Sequence, residues 1–220
     1  MLTTGDLLLE RLCQLRGIEF TRIAESSGKS PDYWLQLGHH RLLAEVKTLD
    51  PNAEEAAINA RRARGEIVAG GGTPGERLRR EIREANRQLR TLGSAHGVPT
   101  ILIVSNNTGC KIHTDPYSVM TAMQGLDVVD VTLPHDRSES PSFGPTHSGP
   151  ERAMRHNANT STSAIGILHD LDIDDVRLSM FHNMHAKVPL DPAVLRIQGV
   201  YQYKLPQGIT SSLEAPWVEV

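Results

Sequence analysis

Aromatic side chains are scarce in this 220-residue chain, at 4% of the total, so the sequence offers no row of rings of the kind that forms a stacking platform for single-stranded nucleic acid. An excess of positive charge is also missing. The 23 Lys and Arg against 26 Asp and Glu leave a formal charge of -3, and any contact with a polyanion must come from a local basic patch. Only two cysteines occur, Cys13 and Cys110, without motif spacing, which excludes a disulfide framework and fits reduced thiols. The opening MLTTGDLLLERL lacks a basic start and acquires charge within a few residues, so it reads neither as a signal peptide nor as a membrane span. A cytoplasmic protein with no membrane partner is expected.

What is present is an ordinary globular composition, 39% hydrophobic and 22% charged, long enough for one domain over residues 1–220. A threonine beside Gly5-Asp6, then Leu8, Leu12 and Leu15 and a closing Gly17, predict an amphipathic helix. Three strands are expected at 18–24, 33–37 and 41–49, the last two joined by a tight turn at Gly38-His39-His40. Residues 50–75, polar and glycine-rich at the end, read as a mobile loop without a regular element. Apolar residues at 78, 82, 85, 89 and 92 predict a helix over 76–92, and VPTILIVS at 98–105 a strand buried on both faces. Helix, three strands, helix, strand is an α/β order with a mixed sheet flanked by helices, because the last connection needs a crossover. That core spans about residues 4–105. An extension over about 106–220 contains a short helix at 115–125, two more strands at 163–169 and 176–183, and a Pro-, Ser- and His-rich flexible loop near 134–159.

The chemistry concentrates in SPDYWLQLGHHRLLAEVK, residues 30–47. If the turn is centred near Gly38 and His39, paired residue numbers sum to about 77, which sets Asp32 opposite Glu45. Strand alternation puts Lys47 on the same face as Glu45, while Val46 points the other way and leaves its carbonyl at the strand edge. Facing carboxylates repel across a strand pair. A hard divalent cation would turn that repulsion into binding, with water and phosphate oxygens completing its shell, and the lysine could hold an attacking water or offset developing negative charge. The competing reading makes Asp32 a turn residue after Pro31 and leaves Glu45 and Lys47 on a solvated strand face.

Pro31-Asp32, a spacer and Glu45-Val46-Lys47 resemble the signature of the PD-(D/E)XK nuclease superfamily, and the element order resembles its restriction-endonuclease-like αβββαβ core. The resemblance implies that Asp32 and Glu45 are metal ligands with the Val46 carbonyl as a third, that Lys47 is the catalytic lysine, and that Mg²⁺ or Mn²⁺ is required. It further implies phosphodiester hydrolysis of nucleic acid, with DNA the favoured substrate. TDPYSVMTAMQGLDVV, NTSTSAIGIL and LSMFHNMHAKVPL are similar to stretches of a bacterial family of unknown role built on this core, a likeness that brings no activity with it. A catalytically silent nuclease-fold protein, binding nucleic acid or another protein, is the alternative.

By the same resemblance Glu10 is a further candidate acid, although at 100° per residue it falls opposite the Leu8, Leu12 and Leu15 stripe and reads as a solvated carboxylate. The helix over 76–92 carries six arginines against three glutamates, with Arg79, Arg83, Arg87 and Arg90 on one flank and Glu81, Glu84 and Gln88 on the other. The arginine flank is a candidate phosphate contact; the alternative is a solvated helix face paired internally. Gln88 is a candidate to reach the site. The ten histidines, His182 and His185 included, lack partners at zinc spacing, and Gly70-Gly71-Gly72 lacks the context of a phosphate loop. A homodimer would suit cleavage of both strands of a duplex.

Overall fold

Alternation in the chain's central strand fixes where everything else must lie. The computed structural model describes residues 2–24, 30–136, 138–172, 175–206 and 217–220. Helices are α1 (Thr4–Arg16), α2 (Ala53–Ala63), α3 (Glu76–His96) and α4 (Pro116–Gln124). Strands are β1 (Glu19–Arg22), β2 (Tyr33–Leu37), β3 (His40–Leu49), β4 (Thr100–Asn106), β5 (Asp127–Thr132), β6 (Ser142–Ser148), β7 (Ala164–Asp172), β8 (Asp175–His182), β9 (Val200–Lys204) and β10 (Val218–Glu219). Eight of them form one mixed sheet in the order β1-β2-β3-β4-β7-β8-β9-β10, and β5 and β6 form a separate antiparallel pair.

Leu42, Ala44 and Val46 of β3 point to one face and pack with Leu8, Leu9, Leu12 and Cys13 of α1. Leu43 and Leu49 point to the other and pack with Leu78, Ile82, Ala85 and Leu89 of α3 and Val119, Ala122 and Met123 of α4. Glu45 and Lys47 share the α3 face with Leu43 and Leu49, because strand side chains alternate. Two charged residues thus lie between Leu43 and Leu49 on this face of an inner strand, whose exposed start carries Arg41. The β2–β3 hairpin turns at Gly38-His39, with Leu37 paired to His40 and Tyr33 to Ala44, and Gly38 takes the left-handed φ of +60° that the turn requires. β3 and β4 are parallel, joined by a crossover through α2 and α3, and β4 and β7 are parallel as well.

α1 is capped by Thr3, whose hydroxyl accepts from the Asp6 amide while Asp6 accepts from the Thr3 amide. It lies close to the sheet at Gly5: a Cβ there would meet Val46 Cγ1 and Thr48 Oγ1 at 2.9 Å, and the Gly5 amide donates to Thr48 Oγ1 at 3.0 Å. The buried stripe is accordingly Gly5, Leu8, Leu9, Leu12 and Cys13, and Leu15 stays 40% exposed.

Two segments expected to be loops contain regular structure. Residues 50–75 hold α2, which has no buried residue and therefore shows no apolar stripe in sequence. It stands on an Asn52 and Glu55 capping box and on tethers: Arg77 donates to Glu55 Oε2 at 2.8 Å, Asn59 donates to the Thr108 carbonyl at 2.8 Å, and His113 Nε2 lies 2.5 Å from Glu55 Oε1. The stretch near 134–159 contains β6, which pairs with β5 through a register shift between Val129 and Val131. That irregularity, with Gly144 and Pro145 inside β6, hid the alternation that marks a strand. The extension also adds β9 and β10 beyond the two strands expected there.

Candidate active site

The β2–β3 ladder ends at Tyr33 and Ala44, with one more bond from the Asp32 amide to the Ala44 carbonyl at 3.1 Å. One step further the strand partner is replaced by a side chain: the Val46 amide donates to Asp32 Oδ2 at 2.7 Å. In an extended strand a residue's N–H and C=O face the same neighbour, so the Val46 carbonyl also looks toward the place that β2 vacates. Asp32, Glu45 and this carbonyl therefore converge at the mouth of the hairpin.

Glu45 is buried, its side chain 1% exposed, and Lys47 Nζ lies 2.7 Å from its Oε1. Neither Glu45 oxygen accepts a well-aligned hydrogen bond from a described residue, and the lysine offsets the carboxylate charge at close range, in part as a donor. Burial first, and the Asp32 charge second, push the Glu45 carboxyl up to about 7. Asp32 is raised as well, by burial, with the Asp6 charge adding to it and the Val46 amide and Lys47 opposing it. Burial alone would lower Lys47, but Glu45, then Asp32 and Glu81, outweigh it and the net direction is upward. Lys47 therefore remains an ammonium, a donor and not a base.

Burial combined with repulsion is what a cation would relieve. Among the described residues no group of three or more His, Cys, Asp or Glu side chains is arranged to hold a metal ion. The protein donors on offer are two carboxylates and one carbonyl, a set that fits a hard ion which keeps several of its waters.

Glu10 is not brought to this pair. Its carboxylate, 15% exposed, is bound by Arg22 and accepts from the Tyr33 hydroxyl at 2.9 Å on the α1 face of the sheet. The acid of α1 that acts on Asp32 electrostatically is Asp6, which also accepts from Tyr33 at 3.1 Å and raises the Asp32 carboxyl. Sequence reasoning gave Asp6 no role beyond marking the start of α1; the Thr3 and Asp6 capping box is the signal that fixes an acid at the end of α1 that abuts Val46.

The arginine flank also lies elsewhere. Winding at 100° per residue sets Arg79, Arg83 and Arg90 on the side of α3 opposite Glu81 and Gln88. Arg79 is buried and paired to Glu151 at 3.2 Å, and Gly75 at the same end abuts Ser118 and Ala122 of α4, so this flank faces α4. Arg83, Arg87 and Arg90 are exposed. The flank that faces β3 carries Glu81, whose charge supports Lys47, and two turns on the half-buried Gln88. Arg80 reaches across to Glu81 at 3.1 Å. A separate cavity of about 130 Å³ lies between α2 and residues 108–113, lined by Glu55, Asn59, Cys110 and His113 and not by the acid pair.

No family model matches the chain, no curated protein matches it, and no solved structure matches it.

Proposed function

We propose that this chain is a metal-dependent phosphodiesterase of nucleic acid, with DNA the favoured substrate, and that α1, β1, β2, β3, α3 and β4 make up a restriction-endonuclease-like core of the PD-(D/E)XK type. The observation that carries the reading is a buried Glu45, without a well-aligned hydrogen bond, facing Asp32 and lying 2.7 Å from Lys47. Its support in the fold is the antiparallel hairpin followed by a crossover to a parallel β4, the element order that the Asp32, Glu45 and Lys47 signature accompanies in that superfamily.

In this account Asp32, Glu45 and the Val46 carbonyl hold Mg²⁺ or Mn²⁺. The ion supplies Lewis-acid charge against the negative charge that gathers on the phosphoryl oxygens. Glu45 must be ionised to serve, which its position near pH 7 permits. Lys47, a fixed ammonium, orients the attacking water and stabilises the negative charge developing on the phosphoryl oxygens. Asp6 raises Asp32 without touching the reacting atoms, and Glu81 helps keep Lys47 charged.

The Lys47–Glu45 ion pair also favours a second reading, a catalytically silent binding module, since it compensates the buried acid without any metal. Incubation of the protein with plasmid DNA and with RNA, under Mg²⁺, Mn²⁺ or EDTA, separates the two. Metal-dependent cutting that disappears in Glu45→Gln and Lys47→Ala supports catalysis. Equal cutting by wild type and variants, or none under any metal, removes it.

A further inference from the structure

Two residues along β2 from Asp32, on the same α3-facing side, stands Trp34, half-buried and paired in register with Leu43. Strand geometry sets it about 7 Å beyond Asp32. The Arg41 guanidinium lies over its ring, 4.1 Å from the centroid, and the His96 ring at the end of α3 meets it edge-on at 5.1 Å. Arg41 and His96 are both exposed. The floor of this side therefore reads Lys47, Glu45 and Asp32, then Trp34, then Arg41, and Gln88 and His96 stand along it on α3.

We propose that Trp34 is a base-stacking subsite, and that the substrate presents an unpaired nucleobase there, as a single strand or a frayed end does, next to the phosphate that the cation at Asp32 and Glu45 would hold. This rests on the phosphodiesterase reading and narrows its substrate class. The free protein keeps a planar cation on the ring where the base would lie. An exposed cation–π contact is weaker than the stacking of a base on an aromatic ring, so exchange favours the base. The displaced Arg41 then keeps its charge for a neighbouring phosphate. A base still paired in a duplex has both faces covered by its neighbours and cannot make this contact. One tryptophan is a single subsite, which the low aromatic content allows, and not a platform for a long strand.

The test uses the full chain with Trp217→Phe, so that Trp34 is the sole tryptophan, and Ca²⁺ in place of Mg²⁺ to hold substrate without turnover. A single-stranded oligothymidylate is titrated against the same sugar-phosphate chain built from abasic sites, following Trp34 emission and, by competition, affinity. The proposal expects quenching by the oligothymidylate and roughly ten- to hundredfold weaker binding of the abasic chain, with the difference erased in Trp34→Leu. Equal binding of both chains with unchanged Trp34 emission overturns the subsite, and plasmid cutting by the same preparation then leaves the phosphodiesterase reading standing. Binding of neither chain, together with no cutting, overturns both.

Discussion

Lys47 Nζ lies 2.7 Å from Glu45 Oε1, and the two are unequally sheltered: the carboxylate is sealed from solvent while the lysine keeps 24% of its side chain exposed. The acid therefore feels burial and the repulsion of Asp32 in full, whereas the lysine can turn outward to a substrate. Replacing Lys47 with Ala should lower metal-dependent cleavage on the order of a hundredfold or more, mainly in kcat. Single-turnover rates on plasmid DNA check this, and a Lys47→Ala variant with an unchanged kcat would contradict it.

Glu45 makes stability depend on pH in a definite direction. Its carboxyl rises from 4.5 to about 7 on folding, so both states are protonated below pH 4.5 and the group contributes nothing there. Between pH 4.5 and 7 the unfolded chain gives up its proton first, and folded stability falls as pH rises. Above 7 the full loss persists, on the order of 3 kcal/mol for a shift of that size. Glu45→Gln should therefore raise Tm at pH 8 and have little effect at pH 4, measured by calorimetry across that range without metal.

Mg²⁺ and the proton compete for the same oxygens. Added Mg²⁺ should raise Tm at pH 8, by about 2.7 kcal/mol of stability at a hundredfold excess over Kd. The gain should shrink as pH falls below 7, with affinity dropping about tenfold per pH unit while one proton is displaced. Glu45→Gln should abolish the response at every pH.

α3 is held on the sheet by Leu78, Ile82, Ala85 and Leu89, all fully buried. Leu89→Ala should cost about 2–5 kcal/mol in urea unfolding, because it opens a cavity against the apolar face of the inner strands. The exposed Arg87→Ala, on the helix's outer surface, should leave stability within about 0.5 kcal/mol of wild type.

The hairpin was readable from sequence because a glycine and histidine turn fixes the pairing sum, and one residue of slip would have turned Leu43 and Leu49 onto the α1 side and Glu45 with Lys47 into the α1 core. α3 and β4 were readable from apolar period and apolar run. α2 was not, since it buries nothing; only the Asn52 to Glu55 capping box announced it. The helical wheel set Arg79, Arg83 and Arg90 opposite Glu81 and Gln88 but could not say which flank met β3, a matter settled by Gly75 meeting α4 and Arg79 meeting residue 151. Asp6 and Trp34 acquire their relation to Asp32 only when α1 and β2 are laid beside the end of the ladder.

The most direct test of the central claim is calorimetric titration of Mn²⁺ into the wild-type chain, Asp32→Asn and Glu45→Gln at pH 7.5. One binding site in the wild type, lost in both variants whose folds are intact by circular dichroism, is the predicted result. Binding that survives in either variant, or that is absent from the wild type, would contradict a cation shared by residues 32 and 45.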